Sequence, residues 1–358
     1  MRTTPRLAAA VLAVAALITA GCADNGSDAA PAKGADAMRL NIGQTSDSVA
    51  FFPLFVAEQE GYFKDEGLQL GDRPRLGTGA KLAAALQSGS IDVAGGVMTD
   101  AYNLYKINDK TKLISILNNE YYVDVVAGSK IPAGLDAQPL AAKVKALQGK
   151  KIGITGPGSG TEALLIYLLK QQGMDPKSDI TMVNLGADAS AAIGALKTGR
   201  VDALSFFQPI GQQAVATGVG RIFISPARGD IPAMQAETHG VAFTTQTVLD
   251  RKGPAVQAFI RAIGKAEETI HGDPAKVTEL FRQYQETLDP KAITALVPIL
   301  QAEVPPEPTP QPDGYAKAAA FHQESGLIAA PPAFGDIVPE SFVSQALSAA
   351  PGTPTAGS

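Results

Sequence analysis

Apolar and polar positions alternate along this chain in two rhythms, and the rhythms take turns. Arg39-Leu40-Asn41-Ile42-Gly43 reads as a buried strand, and Phe51 to Lys64 as a helix with apolar residues at Phe52, Phe55, Val56 and Phe63. Lys81 to Gln87 predicts a second helix, ended by Gly89, followed by strands at Ile91 to Ala94 and Leu113 to Leu117. After Lys130 the order restarts. A strand at Lys151 to Ile154 leads into a helix at Thr161 to Gln171, ended by Gly173. A strand near Thr181 to Val183, a helix near Ala191 to Lys197 and a strand at Val201 to Leu204 follow. Val241-Ala242-Phe243 reads as one more strand and Val256 to Ile270 as an amphipathic helix, with further helices beyond and a Pro-rich break over Glu303 to Pro312. Such alternation predicts an α/β fold with mainly parallel sheets and helices on both faces.

One internal echo sets the domain organisation. Ala85-Leu86-Gln87-Ser88-Gly89-Ser90-Ile91-Asp92-Val93 returns as Ala195-Leu196-Lys197-Thr198-Gly199-Arg200-Val201-Asp202-Ala203. Each copy is a helix end, a glycine suited to the left-handed cap conformation, and a strand start. The echo predicts two αβ lobes of similar build with a ligand cleft between them. Residues 38–126 form the first part of lobe 1, 127–238 form lobe 2, and 239–345 return to lobe 1 with C-terminal helices. The first crossing is expected near Asp124 to Lys130 and the return near His239 to Thr244. A low-complexity tail, 346–358, reads as disordered.

In open sheets of this kind, ligands bind beyond the carboxyl ends of the strands. Four loops qualify: Gln44 to Ala50, Val97 to Ala101, Thr155 to Thr161, and Ser205 to Pro209. They supply the candidate ligand residues Gln44, Thr45, Ser46, Asp47, Phe51, Thr99, Asp100, Ser159, Gly160, Thr161, Phe206, Phe207 and Gln208. Ser159 and Glu162 have capping-box spacing, and the free amides of that helix start suit an anion or polar group. The loop Thr155 to Glu162 fits neither a Walker A sequence nor GxGxxG. Phe206 and Phe207 suit stacking on a flat ligand or packing into the core, and Phe51 and Phe52 pose the same choice. The four loops hold Asp47 and Asp100 but no Lys or Arg. Each Asp either pairs with an amine or caps a helix.

The chain's start adds a location. Arg2 and Arg6 precede a short apolar run from Leu7 to Ala20, and Cys22 follows Ala20-Gly21. The run is too short for a comfortable bilayer span and reads as a cleavable export signal over 1–21. Ile18-Thr19-Ala20-Gly21-Cys22 resembles the bacterial lipobox, with Thr19 where Leu is usual; lipidation at Cys22 and a flexible tether over 22–37 are expected. Cys22 is the one cysteine of the chain, so intrachain disulfides, CxxC metal clusters and dithiol redox chemistry are excluded. The net charge of −5 argues against nucleic acid as a partner. HExxH and GxSxG are missing, and His239, His271 and His322 are scattered, although His239 lies at the return crossing within reach of the cleft. The expectation is a monomeric binder with no cofactor, no metal and no enzymatic activity.

Pro53 to Leu68, with Ala57-Glu58, Gly61-Tyr62-Phe63 and Glu66-Gly67-Leu68, resembles the nitrate/sulfonate/taurine (SsuA/TauA) and thiamine-precursor (NMT1/THI5-like) binding proteins. Leu86 to Val93, Val144 to Gly153 and Ala195 to Ala203 are similar to further blocks of that family, and the likeness runs from Leu40 to Phe243. The resemblance implies a type II periplasmic-binding fold whose cleft closes on a small-molecule ligand. It also implies an ABC permease and ATPase as partners, and an extracytoplasmic location at the membrane. In sulfonate-binding relatives an oxoanion sits against loops matching Gln44-Thr45-Ser46 and Ser159-Gly160-Thr161. In pyrimidine-binding relatives aromatic and carboxylate groups grip a heteroaromatic ring. The pyrimidine synthases of this fold carry a Cys-rich motif that this chain lacks.

Overall fold

The computed structural model of the protein describes residues 34–349. The export segment over 1–21, the acylation candidate Cys22, most of the tether and the end of the tail lie outside the described residues. The tether's last residues are not extended: Gly34–Met38 is a 3-10 helix. At the other end the helix Glu340–Ser348 reaches into the stretch read as a disordered tail and buries Val343 and Ala346.

Eleven strands are described: β1 (Arg39–Leu40), β2 (Ile42–Gln44), β3 (Gln69–Leu70), β4 (Val93–Val97), β5 (Thr111–Asn118), β6 (Val123–Ala127), β7 (Lys151–Ile154), β8 (Thr181–Asn184), β9 (Ala203–Phe207), β10 (Arg221–Ile224) and β11 (Gly240–Thr245). They form a four-stranded sheet in the order β2-β4-β11-β5, a five-stranded sheet in the order β10-β6-β9-β7-β8, and a small β1-β3 pair. Each large sheet anchors one lobe.

The sheets are mixed rather than mainly parallel. β2–β4, β7–β8 and β7–β9 run parallel, but β11 runs antiparallel to β4 and β5, and β6 antiparallel to β9 and β10. The reason lies in the crossings. In each lobe the parallel strands end toward the other lobe, so a strand that has just arrived from there starts at that end and must run backwards. The first crossing occupies 119–122, between β5 and β6, ahead of the expected 124–130; residues 123–126 therefore belong to the second sheet. The return leads directly into β11.

Two further boundaries shifted for local reasons. The helix expected over Phe51 to Lys64 is split into Phe52–Gln59 and Tyr62–Asp65, because Gly61 takes a left-handed φ of 77°. The helix expected from Val256 begins at Gln246 and kinks at Lys252, just ahead of Pro254, whose ring cannot continue the hydrogen-bond ladder. The helix Pro312–Ser325 straddles the lobes: Tyr315 and Ala318 pack with Tyr102 and Val241, while Phe321 packs with Tyr121 and Tyr167.

The sequence echo is a structural device. Gly89 and Gly199 cap their helices with φ near +70° (72° and 70°), and each is followed by an aspartate turned back onto a strand 51 residues earlier. Asp92 Oδ2 accepts from the Asn41 amide and Asp202 Oδ2 from the Lys151 amide, both at 2.9 Å. In return the Asp92 and Asp202 amides donate to the carbonyls of Asn41 and Lys151. Each carboxylate also pairs with a lysine, Asp92 with Lys252 at 2.9 Å and Asp202 with Lys130 at 2.8 Å. Asp92→Ala and Asp202→Ala should each cost about 1–3 kcal/mol, because each leaves a strand-end amide without its acceptor and a lysine without its carboxylate. Urea unfolding would show the loss, and an unchanged midpoint in both variants would refute this role.

Candidate ligand-binding cleft

The carboxyl ends of β2, β4, β7 and β9 meet across a cavity of about 480 Å³ between the lobes. Lobe 1 contributes Thr45 and Ser46 after β2, Gly77 to Ala80 at a helix start, and Val97, Asp100 and Asn103 after β4. Lobe 2 contributes Thr155 to Thr161 after β7, Ala187, and Phe207 at the end of β9. Tyr122, Val123 and His239 come from the two crossings. Among the described residues no Lys or Arg lines this space, and Asp100 is its one charged residue.

Seven of the sequence-derived candidates line the cleft: Thr45, Ser46, Asp100, Ser159, Gly160, Thr161 and Phe207. The other six sit elsewhere. Gln44 is buried beneath the loop, where its side chain donates to the Ser46 carbonyl at 2.8 Å and accepts from Arg73 at 2.9 Å. Asp47 pairs with Arg75 at 2.7 Å and faces a neighbouring cavity of about 710 Å³ that shares Ser46, Ala187 and Phe207 with the first. Phe51 and Phe206 are fully buried in the cores of lobes 1 and 2. On β9 successive side chains point to opposite faces, so Phe206 enters the core while Phe207 reaches the cleft. Thr99 is buried with its hydroxyl 2.8 Å from His322 Nε2, and Gln208 donates to Glu303 at 3.1 Å.

Sequence reasoning missed Gly77 to Ala80, because the expected helix began only at Lys81. Thr78 is its N-cap, accepting from the Lys81 amide. Ala187 occupies the matching place before the helix Ala189–Lys197, so applying the echo to both connections would have found each. Asn103 was also missed, since it lies one turn into the helix Met98–Tyr105.

The helix start at Gly160–Gln171 is tightly organised. Ser159 Oγ accepts from the Glu162 amide at 3.3 Å, as the spacing predicted, but Glu162 turns back to the Gly158 amide at 2.6 Å. Thr161 Oγ1 accepts from the Thr155 amide at 3.0 Å and lies 2.7 Å from Ser159 Oγ. One bond spans the cleft between lobes, from Asn103 Nδ2 to the Gly158 carbonyl at 3.0 Å, while Tyr121 Oη, from the first crossing, donates to the Gly160 carbonyl at 2.6 Å. A side chain at Gly160 would crowd Tyr121 Oη and Thr99 Oγ1.

Burial governs the titratable groups. It pushes Asp100 up to about 6, partly offset by the bond from the Val97 amide, so the group is an anion at neutral pH. Burial, then the neighbouring His322, hold His239 well below its ordinary value, so its imidazole is neutral. That ring lies between Tyr121 and Tyr122, with centroids at 4.3 and 4.8 Å, and neither of its nitrogens has a hydrogen-bond partner. Glu303 sits behind the hinge, accepting from Asn118 Nδ2 at the end of β5 and from Gln208 Nε2 just after β9, both at 3.1 Å. Burial pushes it up to about 8 against these two bonds. Among the described residues no group of three or more His, Cys, Asp or Glu is placed to hold a metal ion.

Glu303 makes a pH prediction. Its folded-state value lies above the unfolded one, so between about pH 4.5 and 8 the unfolded chain releases a proton that the folded chain keeps. Stability therefore falls as pH rises through that window. Glu303→Gln, which stays neutral, should flatten the slope by up to about 1.4 kcal/mol per pH unit. Urea midpoints measured across the window would check it, and an unchanged slope would contradict a protonated Glu303.

Two mixed αβ sheets hinged by paired crossings, with strand ends facing a shared cleft, define a two-lobed binding protein of the periplasmic type. Residues 34–282 match the profile of the NMT1-like family, and the chain belongs to that family. The protein YtlA of Bacillus subtilis (strain 168), whose binding role is itself an assignment, is 23% identical over 260 residues, covering 71% of this chain and 73% of YtlA. The ligand-binding component of an ABC-type import system from Staphylococcus aureus, solved with zinc bound, superposes with a TM-score of 0.68 at 18% identity. The match covers 86% of this chain and 99% of that one. The alkanesulfonate-binding protein SsuA from Xanthomonas axonopodis pv. citri, bound to MOPS, superposes with a TM-score of 0.64 at 20% identity, over 86% and 97% of the chains.

Proposed function

We propose that this protein is the extracytoplasmic solute-binding component of an ABC importer, a monomeric binder rather than an enzyme. It captures a small molecule by closure of its lobes and presents it to a permease and ATPase. The observation that carries this is the cleft itself, where polar groups from both lobes converge on a space of about 480 Å³. Family membership and the structural neighbours support it. Export and anchoring through Cys22 complete the reading, holding the binder beside its permease. Two ligand classes follow from the site. The helix start at Gly160 and the sulfonate-binding neighbour favour a small oxoanion such as a sulfonate or nitrate. The lining, which holds no Lys or Arg but has Asp100, Tyr122 and Phe207, favours a nitrogen heterocycle of aminopyrimidine type, and this second observation concerns the cleft's own charge.

A thermal-shift panel on the domain beginning after Cys22 tests capture, with taurine, alkanesulfonates, nitrate, aminopyrimidines, thiamine and riboflavin. A ligand at about 100-fold over its Kd should add about 2.7 kcal/mol of stability. A panel without any shift would remove the support for solute capture. Cys22→Ser should move the protein from the membrane fraction to the soluble one; retention in the membrane would refute the lipid anchor.

A further inference from the structure

The internal echo reaches further than the strand ties. Carried on at the offset that pairs Asp92 with Asp202, it pairs Ala80 with Ser190, Ala84 with Gly194 and Asn103 with Gln213. The first of each pair lines the cavity of about 480 Å³, and the second lines its neighbour of about 710 Å³. Each lobe thus turns the same helix faces toward an opening. Both members of the last pair also reach the opposite lobe. Asn103 Nδ2 donates to the Gly158 carbonyl at 3.0 Å, and Gln213 Oε1 accepts from the Asp289 amide at 2.9 Å, ahead of a helix packed into the core of lobe 1. The second cavity is therefore the cleft's counterpart in the repeat. It is also joined to the cleft, since Ser46, Ala187 and Phe207 line both.

Gly194 keeps this space open. It lies inside the helix Ala189–Lys197, where glycine is a poor helix former. Neither a left-handed φ nor a close contact requires glycine there, because a Cβ would meet nothing within 4 Å. The wall has a chemistry of its own. Among the described residues no Lys or Arg lines it, while Asp47 and Glu286 do, beside the hydroxyls of Ser190 and Thr287. Such a wall suits a polar group without negative charge.

We propose that the second cavity is a subsite for the far end of the captured solute. The ligand is bipartite, with its head in the cleft and a polar, non-anionic tail passing Phe207 into the neighbouring space. Such a ligand presupposes solute capture as read above and leaves the chemistry of the head open.

Calorimetry on the domain beginning after Cys22 tests this with two pairs of probes that share a head, methanesulfonate with MOPS and 4-aminopyrimidine with thiamine. In at least one pair the long member should bind about tenfold or more tighter than the short one. Gly194→Phe, which fills the second cavity, should erase most of that advantage. Ser190→Phe, at an exposed position of the same helix, reads the same loss if the first variant does not fold. Thiamine monophosphate, whose tail is anionic, should bind no tighter than 4-aminopyrimidine; a gain there equal to thiamine's would overturn the charge preference. Short probes that bind as tightly as their long partners would overturn the bipartite ligand and leave solute capture standing. An advantage that survives both variants would overturn the second cavity as its seat. Failure of every probe would overturn the bipartite ligand, and solute capture would then be judged on the wider panel.

Discussion

Everything that makes a cleft here depends on two aspartates that tie strands together. Asp92 and Asp202 each bond to an amide 51 residues earlier, fixing the start of one strand beside another. With their starts level, β4 runs two residues past the end of β2, and β9 two past the end of β7, so their loops stand near one another at the cleft edge. The carboxylates are held by charge-assisted bonds to lysines, which makes each tie stronger than a neutral hydrogen bond. The same motif in both lobes gives two similar rims, and the hinge has only to bring them face to face.

Much of this was legible because it is local. A nine-residue echo with its glycine cap, and strand and helix rhythms around it, located both lobes and all four loops. What the rhythm could not carry was direction. β6 and β11 read as ordinary strands, yet each starts at a crossing and therefore runs against its neighbours. Nor does a dipeptide such as Phe206-Phe207 say which ring enters the core; that depends on the phase of the strand against the helices behind it. Gln44 and Asp47 fall in the right loop, but Arg73 and Arg75, brought in by a bridge between Gln44 and Arg75, claim both of them. Contacts made by a distant segment leave no trace in local pattern.

The interior of the hinge shows a second economy. Glu303 and Glu237 are buried carboxyl groups beside the crossings, and burial pushes both above the ordinary carboxylate range. Glu303 accepts from Asn118 on one sheet and from Gln208 beside the other, and keeping its proton spares it the desolvation cost of a buried charge.

The helix Met98–Tyr105 carries Asp100 and Asn103 one turn apart, the first inside the cleft and the second bonded across its mouth to Gly158. Because both belong to one rigid rod, any displacement of Asp100 by an occupant is transmitted to the clasp at the entrance. The lifetime of the filled state is thereby coupled to the identity of what fills it. Two solutes of equal affinity that seat this rod differently would leave at different rates, so a binder built this way would discriminate by dwell time as well as by strength of binding.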